Sequence, residues 1–118
     1  MANYIVGDQV QNAAFHPSKQ DTDGISLFRL DFVTPEMVVA AGTHANGSLC
    51  VCLRANALFE LGLSVVPSRI DELSGHVVVP EMNIEAFKGP TKDRIKDFAI
   101  GMRLAAQKFP IWKPPIIR

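Results

Sequence analysis

The chain has no long apolar run and no net charge, and each absence excludes a class of protein. Apolar runs such as 37–41 and 77–80 are far shorter than the roughly 20 residues that a membrane-spanning helix needs. Twelve basic side chains balance twelve acidic ones, so no overall field attracts nucleic acid or an anionic membrane. We therefore expect neither a membrane span nor a nucleic-acid partner.

Cysteine is also scarce, since the only two are Cys50 and Cys52, separated by one residue. On a strand this spacing points both thiols to the same face, and such close neighbours rarely form a disulfide without strain. A zinc site needs more ligands than Cys-x-Cys, and no second Cys or His pair stands at a suitable spacing. Both cysteines are predicted to be small buried hydrophobic residues, and neither a metal nor a cofactor is predicted.

Length and composition are those of one compact domain spanning residues 1–118. An apolar share of 47% with 20% charged residues is typical of globular chains and provides enough apolar surface for a core. The N-terminal residues 1–4 show no basic region followed by an apolar stretch, which a secretory signal would have. The expected location is the cytoplasm.

Hydrophobic patterning and turn residues predict an α+β fold. We expect a mixed or antiparallel sheet of about four to five short strands, packed by a long C-terminal helix and two short helices. The predicted strands are 4–6, 25–31, 49–53, 63–66 and 76–79, and the predicted short helices are 35–41 and 55–61.

The longest helix is predicted to begin at Thr91, as its cap, and to end at Pro110. Apolar residues recur along it at three- and four-residue steps and form one stripe: Ile95, Phe98, Met102, Ala105 and Phe109. The segment 110–118 is proline-rich and therefore extended. It either packs on its own domain or docks on a partner protein or a second copy through Trp112 and Ile116.

Residues 14–29 concentrate the chain's reactive groups in a polar turn that runs into a strand. Asp21 and Asp23 before Gly24 resemble part of a calcium loop, but that register would put Lys19 and Leu30 where the loop needs acidic ligands. An Asp-Gly turn that leads into the strand is the better interpretation.

Candidate catalytic residues are His16 and His76, with Asp23 as the carboxylate partner, because a histidine beside a carboxylate can act as a general base near neutral pH. If the strands that begin at Ile25 and His76 are neighbours, these groups converge on one groove. The candidate ligand-binding residues are Ser26, Arg29 and Arg54. The two arginines are candidates because a guanidinium can bind a phosphate or carboxylate group through two hydrogen bonds. The groove would then accept a small anionic ligand.

Two functions from different classes remain open. The first is a small interaction module that associates with a protein partner or with itself, as an accessory component of a bacterial system. The second is a small hydrolase or transferase that acts on a nucleotide or phosphodiester through a His/Asp/Arg pocket. The sequence contains neither a dinucleotide-binding glycine fingerprint nor a phosphate loop.

Overall fold

The computed structural model describes residues 5–6, 9–30, 32–37, 50–68 and 75–111. They form a small α+β domain in which a short hairpin and a three-stranded antiparallel sheet pack with one long helix. The strands are β1 (Ile5–Val6), β2 (Gln9–Val10), β3 (Ile25–Phe28), β4 (Val66–Pro67) and β5 (His76–Val79). The helices are a 3-10 turn (Asn12–Phe15), α1 (Ala55–Glu60), α2 (Ile84–Lys88) and α3 (Lys92–Ala106).

The main sheet has the order β3-β5-β4, with both neighbours antiparallel to the central β5. Residues opposite each other across strands share a face of the sheet. One face carries Ile25, Val77 and Val79, of which the two valines are 3% and 0% exposed. This face packs in the core against α3, while Ser26 and Val78 share the other face.

Gly24 fixes the start of β3. Its φ of +127° is a conformation that other residues rarely adopt, and a Cβ there would lie 2.2 Å from the carbonyl oxygen of Val79. Only glycine lets the backbone approach that closely. The predicted Asp-Gly turn is thus also the point where β3 meets the end of β5.

The long helix α3 confirms the predicted periodic stripe, since Ile95 and Met102 are buried along it. Thr91 is not the side-chain cap that the sequence predicts, because its hydroxyl donates to the carbonyl oxygen of Ala86 at 2.6 Å. Thr91 therefore ties α3 back to α2. The cap of α2 is Asn83, whose Oδ1 accepts from the amide of Ala86 at 2.8 Å.

Helix α1 runs antiparallel to α3. Its preceding residue Arg54 lies over the ring of Phe109, and Leu61 at its other end contacts Gly101. A Cβ on Gly101 would clash with the Leu61 side chain. Glycine at this position therefore permits close approach of the two helices.

Several predictions are corrected. The described part of the main sheet has three strands, fewer than the four to five expected. In the predicted strand 49–53, Cys50 makes only an isolated bridge and residues 51–54 have no regular structure. The predicted strand 63–66 pairs only at Val66–Pro67, and α2 was not predicted. Short apolar runs fit a strand or a packed coil equally well, because burial alone does not require a ladder partner.

Some predictions lie outside the described residues. These concern Tyr4, most of the helix 35–41 beyond its first turn at 35–37, His44, and the segment 112–118 with Trp112 and Ile116. Within the described ranges, no helix is both long and apolar enough to cross a membrane.

Candidate functional site

The two candidate histidines lie at opposite ends of the β3–β5 pair. The strands are neighbours, as the shared-groove hypothesis requires, and His76 stands opposite Phe28 at one end. His16 precedes the other end, where the amide of Ile84 donates to the carbonyl oxygen of Asp21 at 2.9 Å. Strands rise about 3.4 Å per residue, so the four-residue pair separates its ends by about 10 Å. The two histidines therefore lie toward opposite ends of this strand pair, and their convergence on one groove stays a prediction.

The His16 side chain is half-buried beside α2 and the start of α3. Its ring lies 5.0 Å from that of Phe87, and the Lys92 ammonium lies 5.4 Å from the same ring. Burial lowers the pKa of His16, and the positive charges of Lys96 and Lys92 lower it further. Because all three effects oppose protonation, the neutral imidazole is favoured here.

The two carboxylates near His16 in sequence are those of Asp21 and Asp23, and neither has a hydrogen bond to His16 in the described structure. Asp21 Oδ2 accepts from the amide of Ser18 at 2.7 Å and from its hydroxyl at 3.0 Å. Asp21 thus closes the turn 18–21 instead of orienting an imidazole. Asp23 is exposed at the turn before Gly24. No contact in the described structure joins either carboxylate to His16, and the catalytic role of His16, His76 and Asp23 stays a prediction.

His76 has very different surroundings. It is 7% exposed, its ring lies 5.1 Å from that of Phe28, and its Nδ1 has no hydrogen-bond partner among the described residues. A buried polar atom without a partner costs stability. Its neighbour Gly75 has a φ of +83° and accepts a hydrogen bond from the Arg29 amide at 3.0 Å.

The three ligand-binding candidates lie on separate surfaces. The Arg29 guanidinium stacks over the Phe32 ring at 4.3 Å, and the Arg54 guanidinium lies 5.8 Å from the Phe109 ring. Stacking of this kind satisfies an exposed arginine without a ligand. Ser26 is exposed on the sheet face away from the core. Their predicted role in holding an anion stays a prediction.

Cys50 and Cys52 are free and half-buried. Burial raises the pKa of the Cys50 thiol, and nearby Cys52 and Glu36 raise it further. A thiol with a raised pKa is a weak nucleophile and a weak metal ligand near neutral pH. In the described ranges no three His, Cys, Asp or Glu side chains are grouped as a metal site would require.

Sequence reasoning missed Glu81, a carboxylate that accepts two hydrogen bonds from a residue distant in the chain. Its two oxygens accept from the amide of Ser64 at 2.9 Å and from the Ser64 hydroxyl at 2.7 Å. Burial alone would raise the pKa of Glu81, but the Ser64 hydrogen bonds and the charge of Arg94 hold it below its usual value. The pair is separated by 17 residues, and no local pattern signals such a contact.

The C-terminal segment begins against the domain. Ile111 lines a shallow groove of about 300 Å³ together with Val10, Ala106 and Phe109. The start of the predicted Pro-rich segment therefore packs between the β1–β2 hairpin and the end of α3. Trp112 and Ile116, the predicted partner contacts, lie outside the described residues.

Comparison with known proteins assigns this chain to no family. No protein-family model matches the chain, and neither the curated proteins nor the solved structures searched contain a match. Because fold class does not determine function, a functional proposal depends on the surfaces described above.

Proposed function

We propose that this chain is a small interaction module that pairs with a second copy of itself through the outer face of α3. The observation that carries the proposal is the exposure of Ile100 and Leu104, which are 38% and 51% accessible. They are four residues apart and therefore adjacent on one helix face. Large apolar side chains grouped on a surface mark interaction sites.

This face points away from the core. Met102 and Ala106 point to the opposite side of the helix and are buried. Phe59 is another exposed large apolar side chain, 54% accessible, on helix α1, which packs against α3 through Leu61 and Gly101. An aromatic and two aliphatic side chains are the kind of anchors that occupy the centre of an interface.

The charged residues on either side of Ile100 and Leu104 favour a second copy of the chain as the binding partner. Asp93 and Asp97 precede the apolar pair along this helix face, and Lys108 follows it. In an antiparallel pair centred midway between Ile100 and Leu104, each Ile100 packs against the other copy's Leu104, and each Asp97 approaches the other copy's Lys108. A twofold interface requires this self-complementarity, and its charged ends favour the antiparallel orientation.

The competing hydrolase or transferase function has less support. Its hypothesis needs His16 or His76 beside Asp21 or Asp23, with an arginine to hold the anion, and the described hydrogen bonds of Asp21 come from Ser18. A cytoplasmic location and an accessory role in a bacterial system remain part of the proposal on the sequence pattern alone.

Sedimentation equilibrium on the full chain tests the proposal. We expect the unmodified chain to show a monomer–dimer equilibrium and the variant Ile100→Asp with Leu104→Asp to be monomeric. The control is Leu30→Asp, which adds an acidic group at another exposed apolar position, 59% accessible, and should dimerise like the parent. Circular dichroism checks that the helix content is unchanged.

Charge exchange distinguishes this face from other contacts. Lys108→Glu should weaken the dimer, and adding Asp97→Lys in the same chain should restore it, because each copy then presents the exchanged pair to the other. A parent chain that remains monomeric at the highest soluble concentration would refute self-association. A dimer that survives both apolar substitutions would exclude this face.

A further inference from the structure

A second surface of the same helix carries a cluster of cationic groups around one aromatic ring. The His16 ring and the Lys92 ammonium lie 5.0 Å and 5.4 Å from the centre of the Phe87 ring. Lys96 follows Lys92 by four residues and therefore lies one turn further along the same side of α3. The His16 imidazole and the Lys92 ammonium thus flank Phe87, and Lys96 follows one turn further along α3.

From this arrangement we propose that His16, Lys92 and Lys96 form a binding site for the phosphate group of a small ligand. The inference does not rest on the proposed dimer, because it is argued from the groups around Phe87; Lys96 precedes Ile100 by four residues and therefore borders the dimer face. None of these lysines was a candidate in the sequence, where Lys92 and Lys96 alternate with acidic residues and fit a solvated helix surface.

The structure separates these charges. Asp93 and Asp97 follow Lys92 and Lys96 by one residue each, and adjacent residues on a helix point about 100° apart, since the helix turns once in about 3.6 residues. The carboxylates therefore lie toward the Ile100 side and the ammoniums toward His16. The nearest acidic side chain along the His16 segment, Asp21, is hydrogen-bonded to Ser18.

The charges that act on His16 are those of Lys96 and Lys92, although the whole chain carries no net charge. The lowered pKa of His16, caused by burial and then by Lys96 and Lys92, is the effect expected of uncompensated cations at this ring. A bound phosphate would reverse that effect, because its negative charge stabilises the imidazolium. Binding would then allow two ammoniums and one imidazolium to donate to the same oxyanion.

Phosphate is favoured over a carboxylate ligand for two reasons. Its three terminal oxygens and its charge of about −1.5 to −2 near neutral pH match three separate donors, whereas a carboxylate best fits one bidentate arginine. Phe87 is half-buried, so part of its ring remains accessible beside the cations. A ligand with an aromatic group next to the phosphate could stack there.

The test follows the His16 imidazole of the full chain by NMR while inorganic phosphate is added at constant ionic strength with chloride. We expect a saturable change in the His16 resonance and an increase in its pKa. Adenosine monophosphate is the second probe, and tighter binding than inorganic phosphate would assign the accessible Phe87 ring to a ligand base.

The matched variants are Lys92→Gln with Lys96→Gln against Arg94→Gln, which removes an exposed cation on another side of α3. The double variant should lose phosphate affinity by about tenfold or more, as expected when two charge-assisted hydrogen bonds are removed, and its free His16 pKa should rise. Arg94→Gln should bind phosphate like the parent. A linear change shared by all three histidines would indicate non-specific screening and overturn the site, as would unchanged affinity in the double variant.

Discussion

The two ends of the β3–β5 pair are built from the same parts but have different chemistry. Each end has a histidine beside a phenylalanine ring and a glycine with positive φ: His16, Phe87 and Gly24 at one end, and His76, Phe28 and Gly75 at the other. The ring separations are nearly equal, 5.0 Å and 5.1 Å. What differs is the surroundings, because lysines and solvent flank His16 whereas His76 is buried with an unpartnered Nδ1.

This difference shows that residue type alone does not make a functional histidine. An imidazole that can exchange protons and reach a ligand needs access and a charged neighbour, and among the described residues the His16 end offers both. At the other end His76 is buried, and its Nδ1 has no hydrogen-bond partner among the described residues. Substitutions at corresponding positions of the two ends should therefore have unequal effects.

The largest difference is expected between the two glycines. Gly24→Ala should lower the free energy of unfolding by more than about 3 kcal/mol, because it adds backbone strain to a clash with a main-chain oxygen. At Gly75 the first obstacle is the Phe32 side chain, whose Cβ would lie 2.7 Å away. Gly75→Ala should cost less, about 2 kcal/mol, because this contact is less close than the 2.2 Å approach to the Val79 carbonyl oxygen at Gly24. Urea denaturation of both variants measures the difference.

Gly62→Ala is the control for backbone strain alone. Gly62 has a φ of +89° but nothing lies within 4 Å of a Cβ placed there. Its cost of about 1 kcal/mol is the contribution of positive φ without a clash. If Gly24→Ala lowered the free energy of unfolding no more than Gly62→Ala does, the close contact between Val79 and the start of β3 would be contradicted.

The buried histidine gives the next largest effect. His76→Phe keeps a flat ring of similar size and removes the unpartnered Nδ1, so it should leave stability unchanged or raise it by about 1 kcal/mol. His76→Ala should lower it by about 2 kcal/mol, because it leaves a cavity beside Phe28. Thermal unfolding followed by circular dichroism measures both variants. A large loss in His76→Phe would show that Nδ1 has a partner essential to the fold.

The sequence could predict those helices and strands that follow from a pattern within one element. The stripe along α3 follows from its 3.6-residue period, and the His76–Val79 strand follows from a β-branched run between Gly75 and Pro80. Contacts between elements were not predictable in this way. The register that places His76 opposite Phe28 depends on packing across 48 residues of chain, and this register decides that the two histidines are apart.

Two further features of the site could not be predicted from the sequence, for the same reason. The alternation of Lys and Asp at 92–97 suggests a solvated surface until the packing of α3 beside the 3-10 turn directs the lysines toward His16. The hydrogen bond from Arg103 Nε to Asn12 Oδ1 joins these elements, and no sequence signal connects residues that far apart. By contrast, the Asp-Gly turn is a local pattern, and sequence identified it correctly at Gly24.

Glu81, just after β5 at the His16 end, should have a smaller effect, on how stability depends on pH. Its folded pKa is lowered, so its hydrogen bonds with Ser64 contribute stability above pH 4.5, the ordinary value, and this contribution is lost as the pH falls through the folded pKa. Ser64→Ala should remove part of this dependence and raise the pKa of Glu81. Urea denaturation from pH 3 to pH 6 measures it, with Ser26→Ala, at an exposed serine, as the control.

The smallest expected effect comes from His16 and has a separate pH window. Its folded pKa lies below the ordinary 6.5, so between these two values the unfolded chain binds more protons and stability increases with pH until it levels off above 6.5. His16→Gln should flatten that slope without changing stability at pH 8. The effect is modest because water screens a half-exposed group. An unchanged slope in the variant would mean that neither burial nor Lys96 and Lys92 lowers the pKa of His16, and charged surroundings would then no longer distinguish the two ends of the strand pair.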